Sequence, residues 1–178
     1  MKITKRNKSE IITKLLFDYE SFSIEKINLF CEKLTNKDLR WLAANHVDNR
    51  TRIIFFRLSN VTIGEKTVIN QNFIVSDDYN PLLTIGKRVA ISPNVTIICS
   101  SAPNNSVLAK HPYVKSKLQL SSKIIIEDDA WIGAGTIILP GVTIGKKSIV
   151  GAGSLVSRDV KPNSIFKGVP AELSRKLT

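Results

Sequence analysis

Few residues in this chain can carry acid–base or nucleophilic chemistry at neutral pH. There are two histidines, His46 and His111, and two cysteines, Cys31 and Cys99. A histidine can take the proton of an attacking hydroxyl, because its ordinary pKa lies at about 6.5. His111 sits in SSAPNNSVLAKHPYV, Ser100 to Val114. His46 sits in LAANHVDNR, just behind a helix end, where a histidine often serves only as a cap. The cysteines lie far apart in unlike contexts, which points to free thiols in a reducing compartment. Two histidines and two cysteines without ligand spacing make no metal cage, so no metal is expected.

What could hold such residues in place is a repeat. Ile126, Ile132, Ile138, Ile144, Val150 and Val156 are aliphatic at intervals of six, and the same phase runs through Ile63, Ile69, Val75 and Ile85, Ile91, Ile97. With the aliphatic residue as position one, position five is Ala130, Thr136, Val142, Ser148, Ser154 and Val160, all small or β-branched. Eight of the nine glycines fall at positions two or four; only Gly168 does not. One large and one small inward side chain per six residues suit a narrow triangular solenoid of short strands, with side chains alternating in and out. Glycine serves the corners where φ becomes positive. Three hexads make one coil: 63–80, 85–102, 126–143 and 144–161. An antiparallel sandwich would need period-two alternation over longer strands. The opening stretch fits no phase, so an extended loop is expected near 101–121.

The flanks read differently. In residues 8–45, Ile11, Leu15, Leu16 and Tyr19 share a helical face, as do Ile24, Ile27 and Cys31. Thr35 with Asp38 marks a helix start. A helical segment over 1–49 is expected, placed to cap the solenoid or cover the acceptor. RTRIIFFRL, Arg50–Leu58, reads as a strand leading into a domain over 50–170, and AELSRKLT, 171–178, as a short C-terminal helix. Length allows one domain plus a small appendage. The formal charge of +11 suits a polyphosphate ligand or anionic glycan, whereas scattered Lys and Arg without a recognition motif argue against nucleic acid. The apolar run behind MKITKRNKSE is broken by Thr13, Lys14 and Asp18, so neither signal peptide nor membrane insertion is expected and the location reads as cytoplasmic.

SDDYN (76–80), TIGKRVAISPNVTI (84–97) and DDAWIGAGTIILPGVTIGKKSIVGAGSLVSRDVKPNSIFKGVPA (128–171) resemble the hexapeptide-repeat acyltransferases. The resemblance is to the galactoside and maltose acetyltransferase group, including O-acetyltransferases of surface polysaccharides, and covers the chain from Val61 onward. It implies an all-β solenoid, a left-handed parallel β-helix, with handedness against the usual crossover rule. It also implies a homotrimer with acetyl-CoA between neighbouring solenoids. Carried over by position, Ala134 and Ala152 flank the pantetheine arm, Ser157 and Arg158 stand where the family shows Thr-Lys, and Arg175 and Lys176 are placed to meet phosphate. Trp131 walls the cofactor or acceptor pocket. Asn70 and Asp78 match sugar-binding positions, while Asp77 reads as a turn residue.

The family's general base is a histidine in a His-Pro pair soon after Asn-Val-Thr. An ungapped count from Asn94 lands on Ala102-Pro103, and His111-Pro112 follows nine residues later. Three assignments are open: His111 returns to the site, His46 or another group is the base, or the protein binds ligand without acetylating it. The related γ-class carbonic anhydrases need three histidines. The expected function is acetyl-CoA-dependent O-acetylation of a sugar in a surface polysaccharide, its precursor or a nucleotide sugar. An antibiotic or amino-sugar N-acetyltransferase and an inactive scaffold are the rivals.

Overall fold

The structure, a computed structural model, describes residues 5–178; the first four residues of the expected helical segment lie outside the described part. Four helices open the chain: α1 Lys5–Phe17, α2 Ile24–Cys31, α3 Asn36–Asn45 and α4 Asn49–Leu58. Ser23 caps α2, and Thr35 with Asp38 forms a reciprocal capping box on α3. The expected strand at 50–58 is instead α4. Asp48 Oδ2 accepts from the Thr51 N–H at 2.7 Å and starts the helix. The buried residues Thr51, Arg52, Phe55 and Phe56 form a helical stripe, which a contiguous run of apolar residues conceals from a strand reading.

From Thr62 the chain visits three parallel sheets in rotation. The first holds Thr62–Ile63, Leu83–Ile85, Ile124–Ile126 and Thr143–Ile144. The second holds Val68–Ile69, Ala90–Ile91, Trp131–Ile132, Ile149–Val150 and Ser164–Lys167. The third holds Ile74–Ser76, Thr96–Ile98, Ile137–Ile138 and Leu155–Val156. Each strand thus lies one coil above its equivalent: Ile125 pairs with Thr143, and Trp131 with Ile149. Position-one residues from Ile69 to Val156 fill the interior, Val75 alone being only half-buried.

Glycine plays two roles at the corners, not one. Position four is left-handed in ten of the twelve hexads, whether held by Gly135, Gly141 and Gly153 or by Lys66, Asn72, Asp78, Arg88, Asn94, Asp129 and Lys147; Ser100 and Asp159 are the exceptions. Position-two glycines have ordinary φ but no room for a side chain. A Cβ on Gly133 would sit 2.5 Å from the Ala152 nitrogen in the next coil.

Both ends of the coil stack are covered. At the first coil, Ile69 N–H donates to Asn49 Oδ1 at 2.8 Å, Asn72 N–H donates to Ala44 O at 2.8 Å, and Arg52 Nε donates to Ile69 O at 2.8 Å. The helices therefore satisfy strand-edge groups that would otherwise stay unpaired. At the far end, the expected C-terminal helix is a strand. Glu172–Lys176 pairs antiparallel with Ser164–Lys167. Gly168, with φ 103, and buried Ala171 reverse the chain onto the open edge of the last rung. Edge pairing outweighs the helix-forming composition of ELSRK. Among the described residues, no helix is long and apolar enough to cross a membrane.

Candidate active site

The period breaks after the strand Thr96–Ile98. Ser100–Ser101 pairs antiparallel with Leu120–Ser121 and closes a projecting loop over 102–119. At its base lies a cleft of about 370 Å³, lined by Ser76, Asp78, Thr96, Ser100 and Ala102 among others. Ser100 Oγ donates to Asp78 Oδ2 at 2.6 Å, and Ser76 Oγ donates to Ser100 O at 3.2 Å. Asp78 is the cleft's one carboxylate; its left-handed φ of 50° is that of a position-four corner. A carboxylate so placed can accept a hydrogen bond from a hydroxyl group. Asn70 is not in this lining. It sits on the neighbouring corner, where its N–H and Nδ2 both donate to Ile91 O at 2.9 Å. The structure therefore does not bring Asn70 and Asp78 together in one cleft.

The two histidines differ sharply. His46 is buried, with its ring edge-on to Tyr19 at 4.5 Å and Phe55 at 5.7 Å. Its Nδ1 accepts the Asp48 N–H at 3.1 Å, so the proton is on Nε2, which donates to Leu15 O at 3.0 Å. Burial pushes its pKa down, against the opposing pull of these backbone contacts and Asp48. With both nitrogens occupied and no path to solvent, His46 has no room to act as a base. His111 is exposed in the projecting loop, capping the short helix Val107–Lys110. It does not line the Asp78 cleft.

The cofactor-side residues fall on three surfaces. Trp131, 53% exposed, stands on the outer face of the second sheet. Arg175, exposed, is on that sheet's last strand, paired with Ile165, and Lys176 is exposed beside it. Ala134 and Ala152 are stacked and exposed on the edge between the second and third sheets, and Gly153 N–H donates to Ala134 O at 2.8 Å. Each is followed by a left-handed glycine, Gly135 or Gly153, with nothing within 4 Å of where a Cβ would lie. Ser157 and Arg158 occupy the opposite edge of the third sheet, exposed, and Arg158 Nη2 donates to Glu172 Oε1 at 2.9 Å. A ligand spanning both edges of one chain must cross the third sheet's outer face, over Ile137 and Leu155.

Sequence reasoning missed Arg40. Asp77, read as a turn residue, is also the buried partner of this α3 guanidinium, with Arg40 Nη2 2.6 Å from Asp77 Oδ2. Thirty-seven residues separate the pair, and although Asp77 stands in SDDYN, Arg40 stands in no motif, so no sequence signal links them. The Ser100 hydroxyl was inside the loop stretch already singled out.

Residues 123–158 match the bacterial transferase hexapeptide model of six repeats. Over that block the chain belongs to the hexapeptide-repeat family. It is 40% identical to the galactoside O-acetyltransferase of Escherichia coli K12 over 119 residues, 67% of this chain and 55% of that protein. It spans about half the length of the curated relatives it matches. A hexapeptide-repeat acetyltransferase of Vibrio cholerae O1 biovar eltor, solved with acetyl coenzyme A, is similar with a TM-score of 0.64 at 26% identity, over 94% of this chain and 98% of that one. A maltose O-acetyltransferase of Clostridium difficile 630 is similar over 100% of both chains, at 25% identity and a TM-score of 0.54. The family's matched block contains Trp131, Ala134, Ala152, Ser157 and Arg158; His111, Asn70, Asp78 and Arg175 lie outside it.

Proposed function

We propose that this hexapeptide-repeat protein is an acetyl-CoA-dependent O-acetyltransferase of sugars. The observation that carries the reading is the stacked pair Ala134–Gly135 and Ala152–Gly153: two coils leave a smooth, open edge on which a thin pantetheine chain can lie against backbone. The names of the relatives, galactoside and maltose O-acetyltransferase, support the same reaction. Acetyl-CoA supplies an activated thioester. Trp131, Ala134 and Ala152 line its arm, and Ser157, Arg158 and Arg175 meet its phosphorylated end. Arg158 must give up Glu172 to do so. Asp78 binds the acceptor, with Asn70 serving from the neighbouring corner.

In this reading His111 is the general base, presented by the loop to a neighbouring copy in a homotrimer. The winding is left-handed, the location is cytoplasmic, and the acceptor belongs to a surface polysaccharide, its precursor or a nucleotide sugar. Neither nucleic acid nor membrane insertion is part of it. A second reading, donor binding without transfer, is favoured by one observation: Ala102 stands in the cleft where the family's histidine is expected. Calorimetry with acetyl-CoA and thiol release with a panel of galactosides, maltose and amino sugars decide between them. Binding with acceptor-dependent release is expected. Binding without release selects the second reading, release with amino sugars alone moves the reaction to nitrogen, and no binding removes both readings.

A further inference from the structure

Asp78 does not hold its place alone. The period accounts for its left-handed φ, but not for that of the next residue, Tyr79, at 60°. Two consecutive non-glycine residues in this region cost roughly 1–2 kcal/mol each, so neighbouring contacts must hold the turn. Tyr79 N–H donates to Asp77 Oδ1 at 3.0 Å, Asn80 N–H donates to Asp77 O at 2.9 Å, and Asn60 Nδ2 donates to Tyr79 O at 2.7 Å. Asp77 is in turn held by Arg40. The two side chains are 1% and 9% exposed. Arg40 Nε also donates to Ser59 Oγ at 2.8 Å, and Nη2 donates to Ser59 O at 2.8 Å. Its Nη1 is buried without a partner.

Stability alone is a poor account of this pair. Buried ion pairs are often no better than well-packed apolar residues of the same volume, and an unsatisfied buried donor costs more. What the pair does is tie helix α3 to the one turn that carries the cleft's carboxylate.

We propose that Arg40 is a positioning residue for the acceptor side of the site: through Asp77 it holds the Asp78–Tyr79 turn that presents the Asp78 carboxylate to the Ser100 cleft. The helical segment is thereby part of the acceptor site as well as a cover for the first coil. This rests on the reading of Asp78 as an acceptor ligand.

The test has two arms, one independent of activity. In the charge-free variant R40M/D77L of the full chain, amide hydrogen exchange at Tyr79 and Asn80 should rise about tenfold or more, with Ile138 unchanged. With acetyl-CoA and a galactoside, R40M/D77L should lower the acceptor kcat/KM about tenfold, leave the acetyl-CoA Kd within about twofold, and add less than about twofold on a D78N background. Should R40M/D77L fail to fold, D77N, which keeps shape and the Tyr79 acceptor, should show a smaller rise at the same two amides. Unchanged exchange at Tyr79 in whichever variant folds overturns the proposal. So does a loss that multiplies fully with D78N, or one shared equally by acetyl-CoA binding. If the wild type transfers acetyl to no sugar, the acetyltransferase reading fails, while the exchange arm still decides the strut.

Discussion

His46 commits both ring nitrogens to backbone groups, Asp48 N–H and Leu15 O, inside an aromatic cage. That makes it a probe of pH-linked stability. The folded state holds it neutral, with a lowered pKa caused first by burial. The unfolded chain protonates it at about 6.5. Its contribution is therefore fully present above about 6.5 and is lost as pH falls through the lowered folded value. Chemical denaturation between pH 8 and 5 should show stability declining in that window, and His46→Gln should flatten the decline. An unchanged slope in the variant would remove His46 as its source. At this scale the sequence was informative about type and poor about surroundings. LAANHVDNR marked His46 as a cap, which it is, but nothing local predicted the Tyr19 and Phe55 rings around it. Asp77 and Asp78 are chemically identical and adjacent. Only the fold shows that one faces a buried guanidinium and the other an open cleft.

A coil is stacked on its neighbours through two kinds of corner, and glycine substitutions separate them. Gly133→Ala drives a Cβ to 2.5 Å from the Ala152 nitrogen and 2.8 Å from its Cα, and backbone in a hydrogen-bonded rung cannot move aside locally. Gly135→Ala meets nothing within 4 Å but keeps a φ of 68°. The second change should cost roughly 1–2 kcal/mol; the first should exceed about 3 kcal/mol, beyond ordinary overpacking. Thermal and urea unfolding of the two variants would measure the gap, and equal costs would show that stacking distance is not what selects glycine at position two. The six-residue phase made the strands, the interior column and the loop legible, because each hexad repeats one local geometry. The two elements that border the solenoid were not legible for a physical reason. RTRIIFFRL is apolar enough to satisfy either period, and its identity as a helix depends on Asp48 and on packing against the first coil. ELSRK becomes a strand because the last rung offers an edge, which is a property of the finished stack and not of those five residues.

At the scale of the molecule, the loop over 102–119 is the least explained part of a single chain. Val107 is 85% exposed, Tyr113 60% and Leu118 51%, and apolar side chains so placed mark a surface that meets something. His111 lies among them, outside its own chain's cleft, while proposed donor and acceptor residues stand together on each of two edges of the coil stack, Asn70 with Ala134 and Ala152 after second-sheet strands and Asp78 with Ser157 and Arg158 after third-sheet strands. Both facts are accommodated if each site is built from two copies, with His111 reaching the neighbour's Asp78. Cyclic assembly makes this testable by complementation. His111→Ala and Asp78→Asn chains should each be nearly inactive as pure assemblies, with kcat down by about 10²–10⁴ for the missing base. Denatured together in equal amounts and refolded, they should form mixed trimers. A site then works wherever an intact His111 from one chain meets an intact Asp78 from the next, about one site in four for a cyclic assembly. Activity should return to roughly that fraction of wild type, with light scattering verifying trimer mass and differential tagging verifying mixing. If mixed trimers form and activity stays at the level of the pure variants, His111 and Asp78 must act within one chain or not together at all. The site would then have to be sought around Ser100 and Asp78 alone.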